Sequence, residues 1–211
     1  MSHAKLCLML VLLSTNLRHA EEGDWEKLHD RKVQNQLAQL AYSAIVATVK
    51  DKGADLPKPT NTNIRIRAGC FVTIETKERN GTLTLRGCRG TLFPTQRSLA
   101  DEIIQASIHA CRDKRFRPLK VNELSRLIVS ITVVQKLTPL DNIYALSPEH
   151  GLVVRRGEKV GVVLPYEGKD PLVRLEWAMR KAGLSKNENF EMWLMKAIRW
   201  KVSFVHSFLS G

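Results

Sequence analysis

The sequence predicts an α+β fold in which a hairpin, a helix and a strand follow one another twice on one mixed, mainly antiparallel sheet, behind a long N-terminal helix. Three observations lead there. The pair Asn80-Gly81 separates two runs of alternating apolar and polar residues, the strongest short-range hairpin signal in a sequence. A second such pair of runs is "GLVVRRGEKVGVVLP", which starts at Gly151. Each hairpin is followed by apolar residues at helical spacing and then by a strand-like run, near residues 70–135 and 151–208. No residue-level repeat links the halves.

Taken in order, Lys5, the apolar "LCLMLVLL" and "STNLRHA" have the charged start and apolar run of a short secretory signal with cleavage after Ala20. Arg18 stands where such a signal wants a small residue, so an irregular extension is the alternative for residues 1–22. Residues 23–211 read as a single domain. Val33, Leu37, Leu40, Ala44, Ile45 and Thr48 mark one long amphipathic helix that stops at Gly53. "ADLPKPTNTN" is a connector rich in Pro and Asn.

If Asn80 and Gly81 are the two central turn residues, Arg79 faces Thr82, Arg86 faces Glu75 and Cys88 faces Thr73. Cys70, Val72, Ile74, Leu83 and Leu85 then form the core face. Phe71, Thr73, Glu75, Lys77, Arg86 and Cys88 form the more polar one. Beyond Pro94, a helix carries Leu99, Ile103, Ala106 and Ala110 on one stripe, with Thr95 or Ser98 as cap and Asp101 and Glu102 in the first turn. "RDKRFRPL" breaks it, and "RLIVSITVVQKL" is a buried strand ended by Pro139. In the second round Asp170-Pro171 opens a helix through Leu172, Leu175, Met179 and Ala182, and Gly183 closes it. Ile198, Trp200, Val202 and Phe204 alternate in the last strand.

Composition limits the function classes. With 211 residues, 44% hydrophobic and 26% charged, the chain can bury a core, which argues against disorder, and it has no apolar stretch long enough to span a membrane. The net charge of +12 favours phosphates, acidic partners or anionic membrane surfaces, although the cations are spread along the whole chain. Zinc-finger spacing, an RNP-type aromatic pair and an uninterrupted Lys/Arg run are all missing, which makes nucleic-acid binding the weakest reading. The four cysteines, Cys7, Cys70, Cys88 and Cys111, form no C-x-x-C pair, and loss of the first segment would leave an odd number. That pattern points to reduced thiols, with no metal or cofactor set. His109 reads as a helix-surface histidine, and Trp177, Trp193 and Trp200 as core or cleft wall.

"FVTI", "LRGCRGTL", "CRDKRFRPL", "GVVLP" and "RKAGL" before a Trp resemble the AMMECR-one domain family, whose bacterial members are called AmmeMemoRadiSam system protein A. The likeness covers about residues 30–208. It implies two duplicated β-rich units around a barrel-like sheet, a cleft near the LRGC element that serves as active or binding site, and a cytoplasmic location. It also implies a pathway shared with a Memo-type protein and a radical SAM protein. Arg86, Gly87, Cys88 and Gly90 match the family signature, and Asp113, Arg115, Phe116 and Pro118 match its D-x-R-F-x-P turn. Departures are Arg89 and Cys70, where aliphatic or small residues are usual, and Ser130, where many members carry an acid.

The candidate catalytic residues are therefore Cys88 and Arg86, a guanidinium near a thiol favouring thiolate. The candidates for substrate or anion binding are Gly87, Gly90, Thr73, Asp113, Arg115 and Phe116. Backbone N–H groups at the two glycines, ahead of the helix near Thr95, would make an anion pocket beside Arg86 and Arg89. The bland alternatives are packing of a small Cys between crowded backbones, a tight bend at the glycines, and an Asp-x-Arg pair that only fastens a helix exit. Two functional readings follow. One is a cleft-bearing enzyme or pathway component acting on a small anionic molecule; the other is a non-catalytic scaffold that docks a protein partner through the LRGC loop.

Overall fold

The computed structural model describes residues 22–51, 56–59, 64–185 and 187–204. The proposed signal segment and most of the Pro/Asn connector lie outside them. The chain divides into two compact units, one holding residues up to Val133 and those from Trp200 onward, the other Val134–Arg199. With strands β1 (Cys70–Lys77), β2 (Leu83–Gly90), β3 (Leu127–Pro139), β4 (Gly151–Arg156), β5 (Lys159–Val163) and β6 (Glu191–Ser203), the order is β2-β1-β3-β6-β4-β5, and the β1/β2, β1/β3, β4/β5 and β4/β6 pairs are all antiparallel. The fold is α+β, as the sequence predicts.

In the first unit, α1 (Glu22–Lys27) and α2 (Arg31–Val49) replace the one long helix expected. The break has a local cause. The Asp30 side chain accepts the Lys32 N–H at 2.7 Å and starts a new helix there. Leu28, in the break, becomes fully buried. α2 then buries Leu37, Leu40, Ala41, Ala44 and Ile45, and each of its large aliphatics contributes about 1.5–3 kcal/mol of transfer free energy.

β1 (Cys70–Lys77) pairs with β2 (Leu83–Gly90) on one side and with the start of β3 (Leu127–Pro139) on the other. Cys70, Val72 and Ile74 are buried as predicted, but Phe71 and Thr73 on the other face are buried too. The hairpin register departs from expectation in an informative way. Glu78 N donates to Thr82 O at 2.8 Å and Gly81 N to Glu78 O at 2.9 Å, with Gly81 at φ 85°, so the loop is Arg79–Gly81 and is longer than a two-residue turn. A β-bulge then restores the register. Ile74 pairs with Gly87 while Glu75 pairs with Leu85, leaving Arg86 as the extra residue.

Thr73 consequently faces Cys88 as predicted, whereas Arg86 does not face Glu75. Below the bulge every side chain changes face, so Leu83 and Leu85, expected in the core, are exposed. Glu75 Oε2 instead lies 2.8 Å from Lys201 Nζ.

α3 (Leu99–Cys111) is capped by Ser98, whose side chain accepts Asp101 N at 3.1 Å, and its Ile104 and Ile108 pack on Ala44 of α2. A 3₁₀ turn, Val121–Arg126, leads into β3, and Phe204 N, just past β6 (Glu191–Ser203), donates to Leu127 O at 2.9 Å.

In the second unit β4 (Gly151–Arg156) and β5 (Lys159–Val163) close through Gly157, at φ 58°. α4 (Pro171–Ala182) starts at Asp170, which accepts Leu172 N and Val173 N, and ends at Gly183 in the left-handed region, as predicted. Leu140, Leu152, Val154, Val163, Ala178 and Met179 form its core. Arg174 is fully buried there, donating to the carbonyls of Ser147, His150 and Leu164. Its burial lowers the guanidinium pKa, and it tethers two loops to α4.

Candidate functional site

β2 carries Cys88 half-buried beside Thr73, whose Oγ1 is 3.3 Å from Cys88 Sγ. Thr73 pairs with Cys88 on one side and with Ser130 of β3 on the other, so the three side chains form a row on one sheet face. Ser130 Oγ and, two residues on, Thr132 Oγ1 are buried with no hydrogen-bond partner among the described residues. Buried hydroxyls are normally satisfied, which marks this row as suited to a polar ligand atom or an ordered water.

The Cys88 backbone is gripped from the loop after α3. Its N–H donates to Asp113 Oδ2 at 3.1 Å, and Arg115 Nη2 donates to its carbonyl at 2.7 Å. Arg115 also holds the Asp113 carboxylate at 2.9 and 2.6 Å, and Arg89 Nη2 adds a third side-chain bond at 3.1 Å. The Arg115 guanidinium is 5.5 Å from the ring centroid of Phe116, a cation–π distance. Asp113 and Arg115 thus do more than close a turn. They take the place of a neighbouring strand at Cys88.

Burial pushes the Asp113 pKa up, but the bonds from Arg115 and the Cys88 N–H outweigh it and hold the carboxyl at about 2 against an ordinary 3.8. A carboxyl with a depressed folded-state pKa stabilises fully above its unfolded value and loses that contribution as pH falls through the folded one. Asp113→Asn should therefore cost about 2 kcal/mol near neutrality, and the difference from the unaltered chain should shrink as pH falls from about 4 towards 2. Urea unfolding at several pH values measures this. A difference independent of pH would contradict the assignment.

Arg86 is placed otherwise than expected. It is buried, with Nη1 2.8 Å from Glu123 Oε1 and Nη2 donating to the carbonyls of Arg117 and Pro118 at 3.1 and 3.2 Å. Arg117 Nη2 joins the same carboxylate at 3.2 Å, and Lys120 N donates to it at 2.9 Å. The bulge explains why sequence spacing missed this, because alternation places Arg86 beside Cys88 only when no residue is inserted.

Gly87 and Gly90 mark close backbone approaches. A Cβ at Gly87 would run into the Ala110 carbonyl of α3, and one at Gly90 into Cys70 and Phe71. Ahead of α3, Glu102 accepts Thr95 N at 2.7 Å and Gln96 N at 2.8 Å, so these two N–H groups are taken by a carboxylate of the chain itself.

Burial raises the Cys70 thiol well above its usual value and Cys111 to about 12, so both stay protonated near neutrality. His109 is exposed on α3. Among the described residues no group of His, Cys, Asp and Glu could hold a metal ion, and no helix is long and apolar enough to cross a membrane.

The α+β fold with this loop-gripped strand defines a class of small α+β domains. The AMMECR1 family profile matches residues 38–205, and the chain belongs to that family. A protein of Aeropyrum pernix is 34% identical over 146 residues, which span 62% of this chain and 62% of its own. Another, of Thermofilum pendens, is 35% identical over 169 residues, covering 70% of this chain and 78% of its own. The crystal structure of the uncharacterised protein PH0010 from Pyrococcus horikoshii is similar, with a TM-score of 0.71 at 25% identity, covering 82% of this chain and 92% of that one.

Proposed function

We propose that the chain recognises a small anionic molecule at β2 and presents the Cys88 thiol to it. One observation carries the reading. Among the described residues, two buried carboxylates, Asp113 and Glu123, are shared by four guanidiniums, those of Arg89 and Arg115 and those of Arg86 and Arg117. These ion pairs gather four guanidiniums on β2, which carries the half-buried thiol, and on the loop after α3 that grips it. The side chains of Arg89, Arg115 and Arg117 are 47%, 49% and 63% exposed, so their outer faces can meet a ligand. Arg112, Lys114 and Lys120, in the same stretch of chain as Arg115 and Arg117, are exposed as well. Arg86 supports this site from within and is a positioning residue for β2. The buried hydroxyls of Ser130 and Thr132 supply polar contacts on the same face as the thiol. Family resemblance supports a pathway shared with a Memo-type protein and a radical SAM protein.

Paired alkylating agents test the proposal. Iodoacetate is an anion and iodoacetamide is not, so the ratio of their rates at Cys88 reads the local field directly. In the folded chain this ratio should favour iodoacetate by at least about threefold relative to the same chain in urea. Arg89→Gln and Arg117→Gln should each reduce it, and salt should do the same. Equal ratios in folded and unfolded chains would sink the reading.

A further inference from the structure

The loop between β1 and β2 contains Asn80-Gly81, the one Asn-Gly step in the chain, whereas every other Asn is followed by a residue with a side chain. Asn80, Gly81 and Thr82 are all exposed, and apart from its chain neighbours nothing lies within 4 Å of where a Cβ on Gly81 would stand. The Gly81 nitrogen can therefore approach the amide carbon of the preceding side chain with no side chain of its own in the way.

The fold adds two donors. Thr82 N and Thr82 Oγ1 both donate to Asn80 Oδ1, at 3.0 and 2.7 Å. Only the oxygen of the amide can accept a backbone N–H, so the orientation of the Asn80 side chain is fixed. When a nucleophile adds to Asn80 Cγ, negative charge gathers on that same oxygen, and donors already aimed at it stabilise the addition. The contact that closes the Asx turn is thus also an oxyanion hole for the turn's own Asn.

The attacking nitrogen is itself engaged, since Gly81 N donates to Glu78 O at 2.9 Å. Exchanging a single loop bond for one to water costs little, so it slows attack less than two donors on the oxygen speed it. Asn142 is a comparison within the same chain. It is exposed and its Oδ1 accepts Tyr144 N at 3.0 Å, but the β-branched Ile143 follows it and crowds the nitrogen that would attack.

We propose that Asn80 is a site of covalent self-modification, converted within its own turn through a cyclic imide to Asp and isoaspartate. Gly81 N loses its proton to water and bonds to Asn80 Cγ, while the bond from Cγ to Nδ2 breaks and Nδ2 takes up a proton and leaves as ammonia. Water then adds to one of the two imide carbonyls, the ring opens and the proton returns to the Gly81 nitrogen. Opening at Cγ gives Asp, and opening at the backbone carbonyl gives isoaspartate, whose chain runs on through Cβ and Cγ. One water is consumed, one ammonia is released, and nothing is oxidised or reduced. Either product puts a carboxylate next to Arg79 in the chain, and isoaspartate lengthens the backbone of the loop Arg79–Gly81, whose length helps set the register of β2.

The test incubates the full chain at neutral and mildly alkaline pH, digests it, and follows the peptide that holds Asn80 by mass spectrometry able to tell Asn, Asp and isoaspartate apart. Asp and isoaspartate should accumulate at Asn80, faster at the higher pH, while Asn142 stays intact. Thr82→Val keeps the backbone donor and removes the hydroxyl, and it should slow conversion at least about threefold, whereas Thr82→Ser should keep the rate. Thr82 is exposed, so both variants should unfold at an unchanged midpoint. In urea the unaltered chain and Thr82→Val should convert alike, because the donors are no longer held on the amide oxygen. An intact Asn80 would overturn the proposal. So would a folded Thr82→Val chain that converts as fast as the unaltered one, or a difference of the same size in urea, since either would mean that the Asn-Gly step reacts by sequence alone.

Discussion

Glu123→Gln should destabilise the protein by about 3–5 kcal/mol, the cost of removing one partner from a buried ion pair. The carboxylate is almost fully buried, and so is the Arg86 side chain that it meets at 2.8 Å. Neutralising the acid leaves the guanidinium with only the carbonyls of Arg117 and Pro118, and it also weakens the tie to Arg117 and to Lys120 N. Against a typical domain stability of about 5–15 kcal/mol, such a loss brings the midpoint of urea unfolding down sharply. Arg86→Met with Glu123→Leu should recover part of it, since an apolar pair leaves no uncompensated charge behind. A loss below about 1 kcal/mol for Glu123→Gln would mean that water reaches the pair, as it reaches exposed ion pairs.

The second large effect is expected at Gly87, where the side chain of alanine has no room. A Cβ there would overlap the Ala110 carbonyl oxygen and come within 2.9 Å of its carbon. Both atoms are helix backbone, so α3 would have to move away from β2. Overpacking costs about 1–3 kcal/mol, more where the neighbour is rigid, and Gly87→Ala should reach the upper end. The second unit repeats the arrangement, with Gly161 of β5 against the Ala178 carbonyl of α4. Gly161→Ala should therefore behave alike. Gly81→Ala is the control, because nothing lies near its Cβ and only the positive φ opposes it, at about 1 kcal/mol. Urea unfolding of the three variants distinguishes backbone crowding from turn strain. Equal losses at Gly87 and Gly81 would refute the crowding account.

These two glycines show that the repeated half is a repeat of packing. The halves share no residue-level pattern, but each places a glycine on the second strand of its hairpin where the next helix crosses. The sequence alone signals a glycine in a strand, and that signal does not name the helix. Asp113 illustrates the same limit. Its spacing from Arg115 was legible as a mutual pair, but its bond to the Cys88 N–H joins residues 25 apart, and no local rule reaches that far. Nothing in the sequence marks Arg174 or Glu123, since a single Arg or Glu in a polar-looking stretch carries no sign of burial.

Local periodicity determined the α+β class, the two hairpins and the capped helices after them, all of which depend on residues near one another in the chain. Cys88 faces Thr73 only because the longer loop and the bulge offset each other. Tertiary structure alone decided the bulge at Arg86, and with it the withdrawal of that arginine into the Glu123 pair and the turning of Leu83 and Leu85 to the surface. The physical reason is that alternation has a period of two, so one inserted residue reverses every side chain beyond it. Whether a residue is inserted is settled by what the strand can bury, not by the strand itself.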